Sequence, residues 1–205
     1  MERNIKSRGG RPWSFDREAA IETAMRLFWR CGFEGVSISD LTKAIGIAPP
    51  SLYAAFGSKA ELYQEALSHY EKTLGTFDHV ALNSATSLAH AVRLLLEASI
   101  KAVTHAGLER GCMISSGMTA CHPDHTMLAS DAAKRRDAMR HRIAQALQPF
   151  AKPDEVTRLS RHVAAVMQGI SIQARDGATP AELQEIVEDV VSGIAARLSS
   201  NAQKH

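Results

Sequence analysis

Ser37-Ile38-Ser39-Asp40-Leu41-Thr42-Lys43-Ala44-Ile45-Gly46-Ile47-Ala48-Pro49-Pro50-Ser51-Leu52-Tyr53-Ala54-Ala55-Phe56 decides the fold. Ser37-x-x-Asp40 is a capping box, in which the serine hydroxyl and the carboxylate each satisfy an open backbone N–H at a helix start. Leu41, Ala44 and Ile45 then fall on one helical face, and Gly46 marks the C-terminal end after only about two turns. Pro49-Pro50 fits the first turn of a second helix, where a missing N–H removes no hydrogen bond. Ser51 to Phe56 completes it, before Gly57 and Ser58. Two very short helices joined by a tight turn are thus predicted.

Outward from this corner, Asp16 is a predicted N-cap for a helix carrying Ala20, Ile21, Ala24, Met25, Leu27 and Phe28 at helical spacing, ended by Gly32 and Gly35. Ser58-x-x-Glu61 caps a longer helix on the other side. Beyond about residue 75 the pattern becomes long helices with punctuation between them. They are expected over roughly 86–105, 109–120, 124–148 and 154–175, with breaks at Ala106-Gly107, His122-Pro123-Asp124, Lys152-Pro153 and Gly177. Thr179-Pro180-x-Glu182 opens the last one. Neither strand alternation nor an internal repeat is visible, so the fold is expected to be all-α.

Composition divides the chain in the same place. Of eleven aromatic residues, ten lie between Trp13 and Phe77, and Phe150 stands alone beyond them. The first module therefore fills a small core with large rings, and the second is held by aliphatic side chains and Met on long helices. Residues 1–60 carry nine Lys and Arg against six Asp and Glu, and residues 61–205 carry fifteen against sixteen. The excess sits in Arg3, Lys6, Arg8 and Arg11, a basic arm at 1–13 ahead of the first helix, which is a usual anion-binding device. With 45% apolar and 22% charged residues, the 205-residue chain is not of disordered composition. No apolar run reaches the roughly 18 residues of a membrane span. The basic start lacks an apolar stretch behind it, so a secretory signal is not expected and the cytoplasm is favoured. Three scattered cysteines argue against a disulfide framework.

The frame Gly32-x-x-Gly35-x-Ser37-x-x-Asp40-Leu41-x-x-Ala44-x-Gly46-Ile47-x-x-x-Ser51-Leu52-Tyr53-x-x-Phe56-x-Ser58-Lys59-x-x-Leu62 resembles the DNA-binding domain of the tetracycline-repressor (TetR) family. Gly111-Cys112-Met113, Gln168-Gly169 and Ala174-Arg175-Asp176-Gly177-Ala178 are similar, more loosely, to one branch of it. The resemblance implies a helix-turn-helix DNA-binding domain at 14–74, whose second helix enters the major groove, and a helical effector-binding and dimerisation domain at 75–205. The dimer would read a palindromic operator on double-stranded DNA. Ser37 and the N–H groups beside it are candidates to hold a phosphate, as are Tyr53 through its phenol and Lys59 through its charge. The groove-facing positions are Ala48, Pro49, Pro50, Ser51, Ala54 and Ala55, with no Arg, Asn or Gln for a bidentate base contact. Specificity is therefore expected to lean on thymine methyls, on DNA shape, and on Arg8 and Arg11 of the Gly9-Gly10-Arg11-Pro12 arm in an A·T-rich minor groove.

In the last two helices Leu159, Val163, Val166, Met167 and Ile170 form one stripe, and Leu183, Ile186, Val187, Val190, Val191, Ile194 and Leu198 a second, wider one. By resemblance these helices build a four-helix dimer interface. Val163, Val166, Ile170, Ile186, Val187, Val190 and Ile194 are its candidates, and Gly169 and Gly193 permit close approach. An effector pocket, again implied by the resemblance, has Leu94, Ile114, Met118, Met127, Met167 and Ile170 as candidate lining. The scarcity of aromatics disfavours an aromatic cage for a cation and points to an apolar or mixed small molecule.

Two other readings stay open. Cys112, Cys121, His122 and His125 could sense thiol oxidation or a soft metal, although their spacing matches no standard zinc pattern. A helical adaptor that binds no DNA is the second. Lys134, Arg135, Arg136, Arg140 and Arg142 read as a solvated helix surface. Searching for a nucleophile elbow, a phosphate loop, a dinucleotide fingerprint or His-Glu-x-x-His finds none, so the chain is not expected to be an enzyme. Neither a cofactor nor a resident metal is expected.

Overall fold

The computed structural model describes residues 15–74 and 84–202, with side chains described up to 199. The basic arm, and with it Arg8 and Arg11, lies outside the described residues.

The first helix, α1 (Arg17–Cys31), starts where Asp16 Oδ1 accepts the N–H groups of Glu18 and Ala19 at 2.9 and 3.1 Å. It buries Ala20, Ala24, Met25, Phe28 and Trp29. The capping box that opens α2 (Ile38–Ile45) is present in full. Gly46 ends α2 in the left-handed region at φ 78°, ψ 32°, which turns the chain sharply into α3 (Pro49–Phe56). After Ser58 caps it, α4 (Lys59–Thr73) runs beside α1. Between them Phe28, Phe33 and Tyr63 stack into one ring cluster with centroids 5.1 to 6.2 Å apart. Leu41 and Leu52, both fully buried, pin the two short helices to this core, each contributing about 1.5–3 kcal/mol by burial. A corner too short to persist alone is held by its tertiary contacts.

The remaining helices are α5 (Leu88–Val103), α6 (Met113–Ser116), α7 (Thr126–Leu147), α8 (Pro153–Asp176) and α9 (Pro180–Ala202). They pack in sequence of faces: α9 docks on α5, α5 on α8, and α8 on α7. Thr179 and Glu182 cap α9 reciprocally, as the sequence predicts. The helix expected over 109–120 is reduced to the four residues of α6. Gly111 lies at φ 81° and Met118 at φ 53°, and the Cys112 N–H donates to Ser171 Oγ at 2.8 Å instead of entering a helix. Gly111 also cannot be lengthened, since a Cβ there would stand 2.9 Å from the Ser171 carbonyl oxygen.

The basic run on α7 is not merely solvated. Arg135 donates to Glu71 and Ser68 of α4 and pairs with Asp131, while Arg136 donates to the carbonyls of Ile114 and Gly117 at the end of α6. Two arginines thus tie α7 to α4 and to α6.

A surface clamp joins α5 to α9, where Arg93 pairs bidentately with Glu188 and Gln184 donates to both Glu188 and Glu97. These hydrogen bonds, Arg93 first, hold the Glu188 carboxyl at about 2, below its ordinary 4.5. A carboxylate whose folded-state value is depressed stabilises the fold above its unfolded value and loses that contribution as pH falls toward the folded one. Glu188→Gln is therefore expected to be less stable than wild type at neutral pH, with the gap closing between about pH 4.5 and about 2. Urea titrations of both proteins across that range check this. A gap independent of pH would assign the effect to packing.

Candidate nucleic-acid interface and effector cavity

The outer face of the corner is built by what its inner face buries. With Leu52 and Phe56 turned into the core, Ala48 at the N-cap and Pro49, Pro50, Tyr53 and Ala54 on α3 are left exposed, and Ser51 is half-buried. Ala55 is half-buried against the core and drops from the groove-facing set. Tyr53 is 48% exposed, an uncommon state for a large ring and a suitable one for reaching a backbone. The face carries small side chains around Tyr53 and no charge.

Two expected phosphate ligands are already engaged. The Ser37 hydroxyl donates to Asp40 Oδ2 at 2.6 Å and accepts the Asp40 N–H at 3.1 Å, so its proton belongs to the capping box. The Ser37 hydroxyl and the Ser37 N–H, which also donates to Asp40 Oδ2 at 2.9 Å, hold the Asp40 carboxyl below its ordinary range. Lys59 Nζ sits 4.1 Å from the Phe33 ring centroid, a cation–π contact, and burial lowers its pKa against the opposing effect of Glu34.

The expected dimer face divides in two. Val163, Ile170, Val187 and Ile194 are buried within the single chain and belong to its own core, so they are corrected out of the interface set. Val166, Ile186 and Val190 remain half-buried. Ile172 and Leu198 are exposed, and beyond the adjoining helix backbone nothing stands within 4 Å of a Cβ built at Gly169 or Gly193. The stripe is wide because its inner half meets α5 and its outer half is left over.

The bundle contains a cavity of about 60 Å³ lined by Tyr70 of α4 and Leu74 at its C-cap, Ala98, Ser99, Ala102 and Val103 of α5, Cys112 and Ser115 around α6, Met139 of α7 and Met167 of α8. Of the six expected lining residues only Met167 is there. Met127 is 78% exposed, and Ile114 and Ile170 are buried core. Leu94 is half-buried elsewhere on α5, and Met118 lines a separate cleft under Phe28, Phe33 and Tyr63. The sequence offered a weak pointer at best, the Gly111-Cys112-Met113 resemblance, because residues from five separate elements build the wall.

Burial pushes the Tyr70 phenol far above its ordinary range, and the neighbouring Cys112 thiol adds to that while the Met113 N–H opposes it. Cys112 is thus buried beside Tyr70, whereas His122 and His125 gather at Glu34, which takes His125 Nδ1 at 2.8 Å and the His122 N–H at 3.1 Å. Both contacts lower the Glu34 pKa. Among the described residues no group of three or more His, Cys, Asp and Glu is placed to hold a metal ion. Of the four residues singled out by the sequence, His122 and His125 lie with ring centroids 6.2 Å apart, half-buried Cys121 adjoins His122 in the chain, and Cys112 has other surroundings.

Head and bundle meet at residues 107–112. Trp29 Nε1 donates to the Gly111 carbonyl at 3.2 Å, Arg26 to that of Gly107 at 3.1 Å, and Arg30 pairs with Glu109 at 2.6 Å. Arg175 of α8 donates back to the Trp29 carbonyl. The residue after Gly111 is Cys112, on the cavity wall.

A helix-turn-helix head fastened at this junction to a helical bundle with its own cavity defines a DNA-binding transcriptional regulator. The family model for bacterial regulatory proteins, tetR family, matches residues 20–66. The HTH-type transcriptional repressor ComR of Escherichia coli (strain K12) is 32% identical over 190 residues, 89% of this chain and 90% of its own length. BdcR, an HTH-type transcriptional repressor of the same organism, is 31% identical over 168 residues, 82% and 83% of the two chains. Among solved structures, the TetR family transcriptional regulator CifR, as a cysteine mutant complexed with 26-bp double-strand operator DNA, superposes with a TM-score of 0.82 at 32% identity, covering 89% of this chain and 98% of that one. The chain belongs to the tetR family of bacterial regulatory proteins. Among the described residues no helix is long and apolar enough to cross a membrane.

Proposed function

We propose that the protein is a homodimeric repressor which occupies a palindromic operator through two α2–α3 corners and leaves it when a small molecule enters the bundle. The observation that carries this is the junction at Gly111-Cys112, where one dipeptide holds the head through Trp29, α8 through Ser171, and the cavity wall. A ligand that favours a different position of that dipeptide also favours a different position of α1, which is the differential binding that release requires. Residues 14–74 serve as reader and 75–205 as sensor and dimeriser. The protein acts by binding alone, in the cytoplasm where its operator is.

On DNA, the backbone N–H groups opening α2, Tyr53, and Lys59 once it leaves the Phe33 ring hold phosphates, while Ala48, Pro49, Pro50, Ser51 and Ala54 meet the groove floor. With no bidentate reader on that face, the arm at 1–13 carries part of the sequence preference through Arg8 and Arg11. The test is a fluorescence anisotropy titration against DNA from upstream of the protein's own gene, at several salt concentrations and with scrambled competitor. Tight, salt-dependent binding that survives the competitor is expected, and binding equal to that of scrambled DNA contradicts the reading. Deleting residues 2–11 is expected to weaken binding and to flatten the slope of log K against log salt by about 0.9 for each phosphate the arm neutralises. An unchanged slope would remove the arm from the interface.

A further inference from the structure

We propose, resting on the reading above of a repressor released by a small molecule, that the cavity among α4, α5, α6, α7 and α8 selects an uncharged effector smaller than benzene, with a short apolar body and one hydrogen-bonding group. Three features of the wall carry this. The first is size: about 60 Å³ is less than half of the about 150 Å³ apolar cavity that takes up benzene.

The second is the absence of charge. Every residue on the wall is apolar or neutral, with Tyr70, Ser99, Cys112 and Ser115 as the polar members. Tyr70, Cys112 and Ser99 are themselves buried, so the site is dry on that side. A carboxylate or ammonium entering it would give up its hydration with no counter-charge to receive it, a penalty that excludes ions.

The third is the placing of the polar groups. Among the described residues neither the Ser99 nor the Ser115 hydroxyl has a hydrogen-bond partner, whereas Ser116, one residue further on, donates to the Cys112 carbonyl at 2.9 Å. Two hydroxyls on the wall are thus open to a carbonyl or hydroxyl group, which fixes a small ligand's orientation. Met139 and Met167 close the site with unbranched side chains that adjust to the ligand's shape. Ala102 is the exposed member of the lining and marks the mouth.

The position also suits a signal. Tyr70 belongs to α4 of the head, and its ring packs on Trp29 at 4.9 Å, edge to face, while Cys112 adjoins the Gly111 carbonyl that Trp29 holds. A ligand touching both walls presses on the head at two points.

The experiment uses the full chain with methyl-labelled methionine and three probes of nearly equal size: acetone, acetate and isopropylammonium. Acetone is expected to shift the Met139 and Met167 methyl resonances saturably and to leave exposed Met127 unmoved, with the two ions about tenfold weaker or worse. Acetophenone should not compete. Ala102→Phe, a change at an exposed position that leaves the core intact, is expected to plug the mouth and raise the acetone Kd by about tenfold or more, and Ser99→Ala to raise it severalfold. Equal shifts with acetate, no shift at Met139 and Met167, or shifts that survive Ala102→Phe would overturn the proposal. Operator binding of the same samples is followed in parallel by anisotropy. A protein that binds acetone in this pattern but binds no operator refutes the repressor reading and leaves the cavity assignment standing.

Discussion

Gly169→Arg combined with Gly193→Arg is expected to leave each protomer folded and to reduce operator affinity by two orders of magnitude or more. Both glycines lie on helices, α8 and α9, and beyond the adjoining turns of their own helix backbone nothing in the chain stands within 4 Å of where a Cβ would be. Within the protomer the change is benign, since arginine is a better helix former than glycine by roughly 0.5–1 kcal/mol. Between protomers it is not. Val166, three residues before Gly169, and Ile186 and Val190, seven and three before Gly193, set half-buried apolar side chains on the same helical faces as the glycines, the strip that the proposed second copy would cover. Two guanidinium groups per protomer set into that strip would be buried unpaired if the dimer closed. Once the dimer opens, each head meets one half-site alone and loses the effective concentration that joins two weak contacts into a tight one, about 10²–10⁴ in avidity. Analytical ultracentrifugation should show monomer, circular dichroism an intact helical spectrum, and anisotropy only weak, non-specific binding. Dimers of undiminished stability would place the interface on another face.

The same strip shows what the sequence could and could not convey. Apolar residues at helical spacing on α9 look alike whether the chain itself buries them, as with Val187 and Ile194, or leaves them half-buried, as with Val190. Periodicity reports a buried face without naming the partner. The caps at Asp16, Ser37, Ser58 and Thr179 were legible because each is settled within four residues, and Gly46 because one left-handed residue is all a sharp turn needs. The segment after Gly107 was not legible. Its helical-looking run from 109 to 120 is cut down by bonds to Ser171, Trp29 and Arg136, partners 59, 82 and about 20 residues away in sequence that no local pattern announces. The reading face survived translation into structure best, because small exposed residues on α3 are exposed by the burial of their own neighbours, Leu52 and Phe56. The cavity survived worst. Hydrophobic type alone placed Met127 inside, where the structure leaves it 78% exposed, and serines that the pattern passes over turn out to line the wall.

Trp29→Ala is expected to be the most damaging single change in the head, costing about 3–5 kcal/mol, a large part of the roughly 5–15 kcal/mol that holds a domain folded. The ring is 2% exposed and packs edge to face on Tyr70, so its removal opens a cavity at the root of both α1 and α4. The indole N–H is the donor that holds Gly111, and the Gly111 carbonyl would lose it. Arg26, Arg30 and Arg175 reach across the same seam, but the first two contacts are exposed and screened by solvent, and they do not replace a buried ring. Trp29→Phe separates the two losses: it keeps most of the apolar volume and deletes the donor alone, at about 1–3 kcal/mol. In a chain of this length each kcal/mol moves Tm by about 2–4 °C, so Trp29→Ala should melt about ten degrees or more below wild type and Trp29→Phe a few degrees below. Operator affinity should follow the same order, because the spacing of the two corners is set through α1. Should Trp29→Ala melt with wild type, the seam at residues 107–112 would not be what fastens head to bundle. Should Trp29→Phe fall as far as Trp29→Ala, the single hydrogen bond to Gly111, more than the ring, would be the fastening.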